Sequence, residues 1–195
     1  MADTKIISDM QRLTERLGQL PEAVVKPAFI VVSGLPGTGK TYFCNKLAER
    51  LPFITLESDA LRKTLFTAPT YSPQESSHLF QVIHYLIEEL LKKGLPLILD
   101  ATNLSERYRE RLYHIADRLN VELILVRVEA PPDVVYQRLK NRAEDTNSED
   151  NSDADWTVFQ RMRSTAQQIR RNHFAVDTSR DITPVLDKIV RKINK

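Results

Sequence analysis

Residues 34–41 read Gly-Leu-Pro-Gly-Thr-Gly-Lys-Thr and match the pattern G-x-x-x-x-G-K-[ST]. The stretch follows the apolar run Phe29-Ile30-Val31-Val32 and precedes a helical pattern that includes Phe43 and Leu47. Glycines in such a unit let the backbone curl so that successive N–H groups face one anion, and the following helix adds its positive end. The sequence therefore predicts a phosphate-binding loop whose ligand is a nucleotide. A chance glycine-rich turn is the alternative, which the strand and helix context makes rare.

The loop residues have separate predicted roles. The ammonium group of Lys40 would hold the β- and γ-phosphates, and the hydroxyl of Thr41 would complete a magnesium shell. ATP and Mg²⁺ are therefore the predicted cofactors. The loop residues predicted to bind ATP are Gly34, Gly37, Thr38, Gly39, Lys40 and Thr41.

The rest of the chain alternates short apolar runs with amphipathic stretches, which is typical of βαβ units and a mostly parallel sheet. The predicted strands are 29–32, 53–56, 95–99, 123–126 and 174–176. Apolar side chains at three- and four-residue steps predict helices over 79–90 and 104–119, and a proline pair predicts a helix start at 131. An amphipathic helix is also predicted within residues 1–28, as an appendage to the core.

Composition bounds the class of protein. The 195 residues suffice for one compact domain, and 42% hydrophobic and 28% charged residues are ordinary for a globular protein. The net charge of +2 gives no strongly basic nucleic-acid footprint, although a local one is still possible. The single cysteine, Cys44, fits a reducing compartment, and no apolar run approaches the roughly 20 residues that span a bilayer. We therefore expect a cytoplasmic protein without a membrane partner.

Asp59 and Arg62 follow the second predicted strand. The carboxyl ends of parallel strands share one edge of the sheet, so Asp59 should lie near the phosphates. A carboxylate there can accept the proton of an acceptor hydroxyl, and Arg62, one helical turn on, can bind an anionic group of the acceptor. The alternative is that Asp59 only caps a helix and Arg62 is solvated.

Two further motifs bear on the chemistry. Asp100 ends an apolar strand, the usual place for a magnesium-shell carboxylate, although aspartate also ends strands because it favours turns. Arg138 and Arg142 are four residues apart on a predicted helix and therefore share a face. Arginines on a closing lid can neutralise the transferring phosphoryl group, whereas a solvated charged helix is the alternative.

Together these motifs resemble the small P-loop kinases related to polynucleotide 5′-hydroxyl kinase, whose wider kin include zeta toxin and the gluconate, shikimate and chloramphenicol kinases. The resemblance covers about residues 27–193. It implies a three-layer α/β/α P-loop nucleoside triphosphate hydrolase fold, with a five-stranded parallel sheet of order 2-3-1-4-5. It also implies an N-terminal helical extension at 1–28 and a P-loop kinase domain at 29–195, with a lid near 131–155.

The resemblance also implies the role of each matching residue. Asp59 becomes the general base, with Lys40, Arg138 and Arg142 as the other catalytic residues, and Arg138 also contacts ATP. Thr41 and Asp100 become the metal ligands. Acceptor binding would involve Asp59, Arg62, Asn103 and Arg109. Asp177 and Thr178 resemble the segment that lies near the adenine.

The predicted function is transfer of the γ-phosphoryl group of ATP to a hydroxyl acceptor. The acceptor is either a polynucleotide end or a small molecule such as a sugar, a hydroxy acid or an antibiotic. Six acidic residues within 144–155 would repel a nucleic-acid backbone, so a nucleic-acid partner is only possible. A nucleotide-dependent switch and a pure nucleotide-binding module are the alternatives from other classes, and the missing N-K-x-D signature weakens a GTPase. The sequence does not indicate the oligomeric state.

Overall fold

The computed structural model describes residues 4–144 and 154–194, and it has the predicted three-layer α/β/α architecture. The strands are β1 (Ala28–Ser33), β2 (Ile54–Glu57), β3 (Leu97–Asp100), β4 (Glu122–Glu129) and β5 (Phe174–Asp177). The helices of the described residues are α1 (Thr4–Arg16), α2 (Lys40–Ala48), α3 (Ser58–Leu65), α4 (Pro73–Lys92), α5 (Glu106–Leu119), α6 (Pro132–Glu144), α7 (Trp156–Thr165) and α8 (Thr183–Ile193).

The five strands form one parallel sheet in the order β2-β3-β1-β4-β5, which confirms the predicted order. Asp100 at the end of β3 is the register partner of both Val32 in β1 and Glu57 in β2. Register partners in neighbouring strands present their side chains to the same face. Two carboxylates therefore stand side by side at the carboxyl edge of the sheet.

The boundaries of β2, β3 and β4 differ from the sequence prediction. β2 begins at Ile54, one residue later than predicted, and β3 begins at Leu97 because Pro96 has no N–H for the ladder. β4 extends to Glu129, three residues beyond the predicted end. Arg127 and Glu129 are exposed, so this part of the strand lacks the apolar character that the prediction depended on.

Each face of the sheet carries its own hydrophobic core. Phe29 and Val31 join the cluster under α1, α4 and α5, whereas Ile30 and Val32 join the cluster under α2 and α8. Successive strand side chains point to opposite faces, so a strand covered on both sides must be apolar throughout. This explains the continuous apolar run that precedes the phosphate loop.

Helix α1 is part of this core rather than an appendage. Leu13 is completely buried and belongs to the larger cluster. Arg12 Nη2 donates to the Thr64 carbonyl oxygen at the end of α3 over 2.7 Å, and His78 Nε2 on α4 lies 2.7 Å from Asp9 Oδ2. Burial of one leucine contributes about 2 kcal/mol, so α1 stabilises the helices α3 and α4 that flank the acceptor side of the sheet.

Helix α4 is the longest helix of the described residues. Its N-cap Ser72 accepts a hydrogen bond from the Glu75 amide over 3.2 Å, and the chain turns away at Gly94 with a φ of 76°. The predicted face of this helix and its glycine terminator are confirmed. None of the helices in the described ranges combines the length and the apolar character needed to cross a bilayer.

Helices α6 and α7 form a small separate layer over the phosphate loop. Val135 and Leu139 on α6 pack against Phe159 on α7, and Trp156 stacks on Phe159 with ring centroids 4.8 Å apart. Helix α6 lies within the region 131–155 predicted as a lid, whereas α7 begins directly after it. Most of the acidic stretch 144–155 lies outside the described residues, since 145–153 are among those not described.

Candidate active site

The phosphate loop is held in a curled conformation by its glycines. Gly37 and Gly39 have φ angles of 75° and 85°, in the left-handed region that only glycine adopts without strain. Gly39 also leaves no room for a side chain, because an added Cβ would lie 3.0 Å from the Thr178 hydroxyl. Helix α2 begins at the next residue, Lys40, so the N–H groups of the loop and the positive end of the helix converge on one anion site.

Lys40 lies across this loop. Its Nζ donates to the Leu35 carbonyl oxygen over 3.0 Å, and the Thr38 hydroxyl donates to the same oxygen over 2.7 Å. The ammonium group is therefore positioned over the anion site. This is the geometry that the sequence predicted for a group that binds the terminal phosphates of a nucleotide.

Thr41 and Asp100 meet beside the loop. The Thr41 hydroxyl donates to Asp100 Oδ2 over 2.6 Å, and the Asp100 side chain is almost fully buried at the end of β3. A hydroxyl and a carboxylate oxygen are the hard ligands that Mg²⁺ prefers, with phosphate oxygens and water completing its shell. The two residues thus fit the predicted magnesium site.

Arg138 on α6 joins the lid layer to the loop. Its guanidinium donates from Nη1 to the Thr178 hydroxyl over 2.8 Å and from Nη2 to the Thr178 carbonyl oxygen over 3.0 Å. The Thr178 hydroxyl in turn donates to the Thr38 carbonyl oxygen over 2.6 Å. Arg142, one turn further along α6, donates to the Ala154 carbonyl oxygen. Both arginines line the cleft above the loop.

The turn after β5 brings Thr178, but not the Asp177 carboxylate, to the loop. Asp177 Oδ1 accepts hydrogen bonds from the Ser179 hydroxyl and amide, over 2.7 and 2.9 Å, and these bonds hold the Asp177 pKa below its usual value. The carboxylate therefore shapes its own turn. The predicted adenine contacts at these two positions stay a prediction.

The cleft has a volume of about 270 Å³, and Asp59 in the first turn of α3 forms part of its wall. The structure thus brings Asp59, the loop, Asp100 and the two lid arginines together. The full lining is Gly37, Gly39, Lys40, Thr41, Tyr42, Glu57, Ser58, Asp59, Asp100, Ala101, Thr102, Arg138, Leu139 and Arg142.

Six of these lining residues were not predicted from the sequence: Tyr42, Glu57, Ser58, Ala101, Thr102 and Leu139. Glu57 is the register partner of Asp100, so its side chain shares the face on which α2 begins. The alternation of Thr55 and Glu57 with apolar residues is a signal that could have indicated it. Tyr42 directly follows Thr41 and is half exposed, but one exposed tyrosine carries no sequence signal of its own.

Arg62 does not reach the cleft, contrary to its predicted acceptor-binding role. The side chain is buried, and Nη1 forms an ion pair with Glu75 Oε1 on α4. Nη2 donates to the Ser76 hydroxyl over 3.3 Å, and the guanidinium carbon lies 4.7 Å from the centroid of the Tyr71 ring. The motif does not reveal this partner, because Glu75 is 13 residues away in the sequence.

Asn103 is also a structural residue rather than an acceptor ligand. Its side-chain amide donates to the Val32 carbonyl oxygen over 2.8 Å, and the residue is 6% exposed. The Ser33 hydroxyl donates to the Asn103 carbonyl oxygen over 3.0 Å. Asn103 therefore fixes the loop after β3 against the end of β1.

Arg109 has the most extensive buried hydrogen bonding of the predicted site residues. Nη2 donates to the carbonyl oxygens of Gln167 and Gln168, each over 2.8 Å, and Nε donates to Glu106 Oε2 over 2.7 Å. Nη1 donates to the Asn103 carbonyl oxygen. With 1% of its surface exposed, Arg109 fastens the chain after α7 to the loop after β3 and offers nothing to an acceptor.

Cys44 lies close to the magnesium site but has no catalytic geometry. It is completely buried in the core under α2. Burial, and then the nearby Asp100 carboxylate, raise the pKa of its thiol well above the usual value. A thiol held protonated in the core is a packing residue.

Comparison with known proteins agrees with this site. The chain belongs to the AAA domain family, whose model matches residues 29–169. It is similar to a gluconokinase of Gluconobacter oxydans, with 31% identity over 51% of this chain and 58% of the relative. It is also similar to an L-seryl-tRNA(Sec) kinase of Methanococcus maripaludis, with 27% identity over 56% of this chain and 44% of the relative.

The chain thus spans about half the length of these two relatives. Among solved structures, a putative kinase from Chloroflexus aurantiacus superposes with a TM-score of 0.68 and 22% identity, over 85% of this chain and 98% of that one. The family and the phosphate cleft together define the class: the chain has a P-loop nucleotide-binding domain of the fold that the sequence resemblance implied.

Proposed function

We propose that this protein transfers the γ-phosphoryl group of ATP to a hydroxyl of an acceptor bound beside Asp59. One observation carries the proposal: a single cleft holds a phosphate-binding loop, a magnesium-type oxygen pair and a separate carboxylate, Asp59, in the first turn of the helix that follows β2. Phosphoryl transfer depends almost entirely on positioning and electrostatics, and these groups supply both. A nucleotide switch would need no carboxylate in the place of Asp59.

Thr41 and Asp100 would hold Mg²⁺ in this reaction. When bound, the ion neutralises charge on the β- and γ-phosphates. Lys40 holds the same phosphates from the loop, next to the N-terminus of α2. The nucleotide is thereby fixed with its terminal phosphate directed toward the wall that carries Asp59.

Asp59 is proposed as the general base. The acceptor oxygen forms a bond to the γ-phosphorus while the bond from phosphorus to the β-bridging oxygen breaks, and the hydroxyl proton passes to the Asp59 carboxylate. ADP and the phosphorylated acceptor are the products. Arg138 and Arg142 would stabilise the negative charge of the transferring group from the lid side, as their place in the cleft wall suggests.

The relatives differ in their acceptors, since one is named a gluconokinase and the other an L-seryl-tRNA(Sec) kinase. A cleft of about 270 Å³ suits a small molecule or one terminal residue of a larger one. We favour a small-molecule acceptor. A polynucleotide end is the second candidate, supported by the motif resemblance.

The test is transfer of labelled γ-phosphate from ATP with Mg²⁺ to a panel of hydroxyl acceptors. The panel contains 5′-hydroxyl oligonucleotides, nucleosides, sugars, hydroxy acids and aminoglycosides, with Lys40→Ala as the inactive control. Asp59→Asn should lose transfer by about 10²- to 10⁴-fold while ATP affinity is unchanged. Hydrolysis of ATP without any labelled acceptor, or full activity of Asp59→Asn, would contradict the proposal.

A further inference from the structure

We infer that the acceptor is a hydroxyl-rich small molecule without a phosphate or carboxylate group beside its reacting hydroxyl. The inference rests on the proposed function and concerns the same cleft. This is the opposite of what the motif Asp59-x-x-Arg62 suggests. In that motif the arginine would bind an anionic group of the acceptor. The reversal follows from where the structure places the charges of the cleft.

The motif arginine is already neutralised. Glu75 forms the ion pair with Arg62, with 7% of each side chain exposed, and is itself held by the Thr70 amide over 2.6 Å and the Thr70 hydroxyl over 2.8 Å. An anionic acceptor would have to displace a carboxylate that four hydrogen bonds hold in place. Separating the two partners of a buried ion pair is strongly unfavourable.

Tyr71 makes a second contact with this arginine. The ring of Tyr71 covers the guanidinium at 4.7 Å, and the Tyr71 backbone is held at a φ of 54°, which is rare for a residue with a bulky side chain. Strained backbone persists only where the surroundings enforce it. Tyr71 and Glu75 thus enclose Arg62 from two sides.

The cleft wall on this side carries carboxylates and hydroxyls instead. Glu57 ends β2 beside Asp59, Ser58 adds a hydroxyl group to the same wall, and Tyr42 on α2 adds another hydroxyl group to the cleft. Carboxylates accept strong hydrogen bonds from hydroxyl groups, and they repel phosphate and carboxylate groups. The wall therefore matches a ligand that donates hydrogen bonds.

The cationic side chains of the cleft lie on the side where the nucleotide would bind. Lys40 lies over the phosphate loop, and Arg138 is bound to Thr178 next to it. Arg142 extends from the same helix as Arg138 and is joined to the chain that leads into α7. Positive charge thus lines the lid and loop, whereas negative charge lines the wall formed by β2 and α3.

The test compares acceptors that differ in the presence of one anionic group. The pairs are D-glucitol with D-gluconate and adenosine with adenosine 3′-phosphate, each offered to the full chain with labelled ATP and Mg²⁺. We expect kcat/KM for the neutral member of a pair to exceed that for the anionic member by on the order of 10²-fold. Equal or greater kcat/KM for the anionic members would overturn the inference and leave the kinase assignment intact.

Glu57→Gln is the informative variant, because this side chain lies at the cleft surface rather than in the core. It should raise KM for the neutral acceptor, narrow the discrimination within each pair, and leave KM for ATP unchanged. An equal loss toward both members, together with a higher Mg²⁺ requirement, would place Glu57 with the metal and contradict the inference. If neither pair is labelled and none of the acceptors changes the rate of ATP hydrolysis, the proposed function is wrong, and this inference is wrong with it.

Discussion

Two pairs of arginines in this protein look alike in the sequence and differ completely in the structure. Arg138 and Arg142 line the cleft above the phosphate loop. Arg62 and Arg109 are 5% and 1% exposed and are bound to protein groups. All four lie in motifs that predict contact with substrate, so the motif alone does not separate a catalytic arginine from a structural one.

The difference teaches that the hydrogen-bond acceptors around an arginine decide whether it has a structural role or faces the cleft. A guanidinium has five N–H donors, and a buried one is stabilised when protein groups bind them. The structure provides such groups to Arg109 from three separate segments and to both terminal nitrogens of Arg62 from α4, whereas Nε of Arg62 has no hydrogen-bond partner among the described residues. Arg138 is bound by Thr178 and, over 3.5 Å, by the Gly37 carbonyl oxygen, and it lines the cleft beside the phosphate loop.

The largest expected effect concerns the interior pair. Arg109→Ala should lower the free energy of unfolding by about 3–5 kcal/mol, because it leaves a buried Glu106 and the carbonyl oxygens of Gln167 and Gln168 without their donor. Urea unfolding followed by circular dichroism measures this. Arg107→Ala, at an exposed position on the same helix, is the matched control and should change little. A loss below about 1 kcal/mol for Arg109→Ala would show that Arg109 is not a structural arginine, and the contrast with the cleft arginines would be wrong.

The next effect is the acid sensitivity of the Arg62–Glu75 pair. Burial alone would raise the pKa of Glu75, but hydrogen bonds from Thr70 and Arg62 lower it from 4.5 to about 2. The stability from this depressed pKa is fully present above pH 4.5 and is lost as the pH falls toward 2. It amounts to on the order of 3 kcal/mol.

Glu75→Gln should therefore unfold more easily at pH 7 and show a shallower loss of stability between pH 4.5 and 2 than the unsubstituted protein. Thermal melts at several pH values check this, with Glu110→Gln at an exposed position as the control. Parallel stability curves for Glu75→Gln and the unsubstituted protein would show that Arg62 is not held as the structure indicates.

The third effect concerns the cleft pair. Arg138→Lys should lower kcat by on the order of 10²-fold, because a single ammonium group does not reproduce the two-pronged contact with Thr178 or its planar charge. Unfolding free energy should stay within about 1 kcal/mol of the original. Steady-state kinetics and urea unfolding on one preparation separate the two readouts. If Arg138→Lys lowered the free energy of unfolding as much as Arg109→Ala, the two pairs of arginines would not differ in role.

The smallest effect is expected at Arg171, one of the exposed arginines near the end of the chain. Its guanidinium pairs with Asp117 over 2.6 and 3.0 Å and stacks on the Tyr113 ring at 4.5 Å. Exposed pairs contribute about 1 kcal/mol or less, and salt screens them. Arg171→Ala should therefore cost at most that much stability, less at high salt, and leave transfer unchanged. A raised KM for the acceptor would instead place Arg171 in the acceptor site.

The sequence predicted the fold well because its signals are local. The strand, loop and helix around residues 34–41 are contiguous, and the strand order follows from the kinase resemblance that this loop anchors. Lys40, Thr41 and Asp100 were found for the same reason, since their positions depend only on where a strand or helix ends. Glu57 was missed because it needs the register between β2 and β3.

By itself, then, the sequence determined a parallel P-loop kinase fold and the nucleotide half of its cleft. The tertiary structure alone decided which charges the acceptor half presents. Arg62 meets Glu75 only when α3 and α4 pack together, and Arg109 meets Gln167 from 58 residues away. A short motif fixes backbone geometry through nearby residues, but the charge a side chain offers depends on partners that distant parts of the chain bring to it.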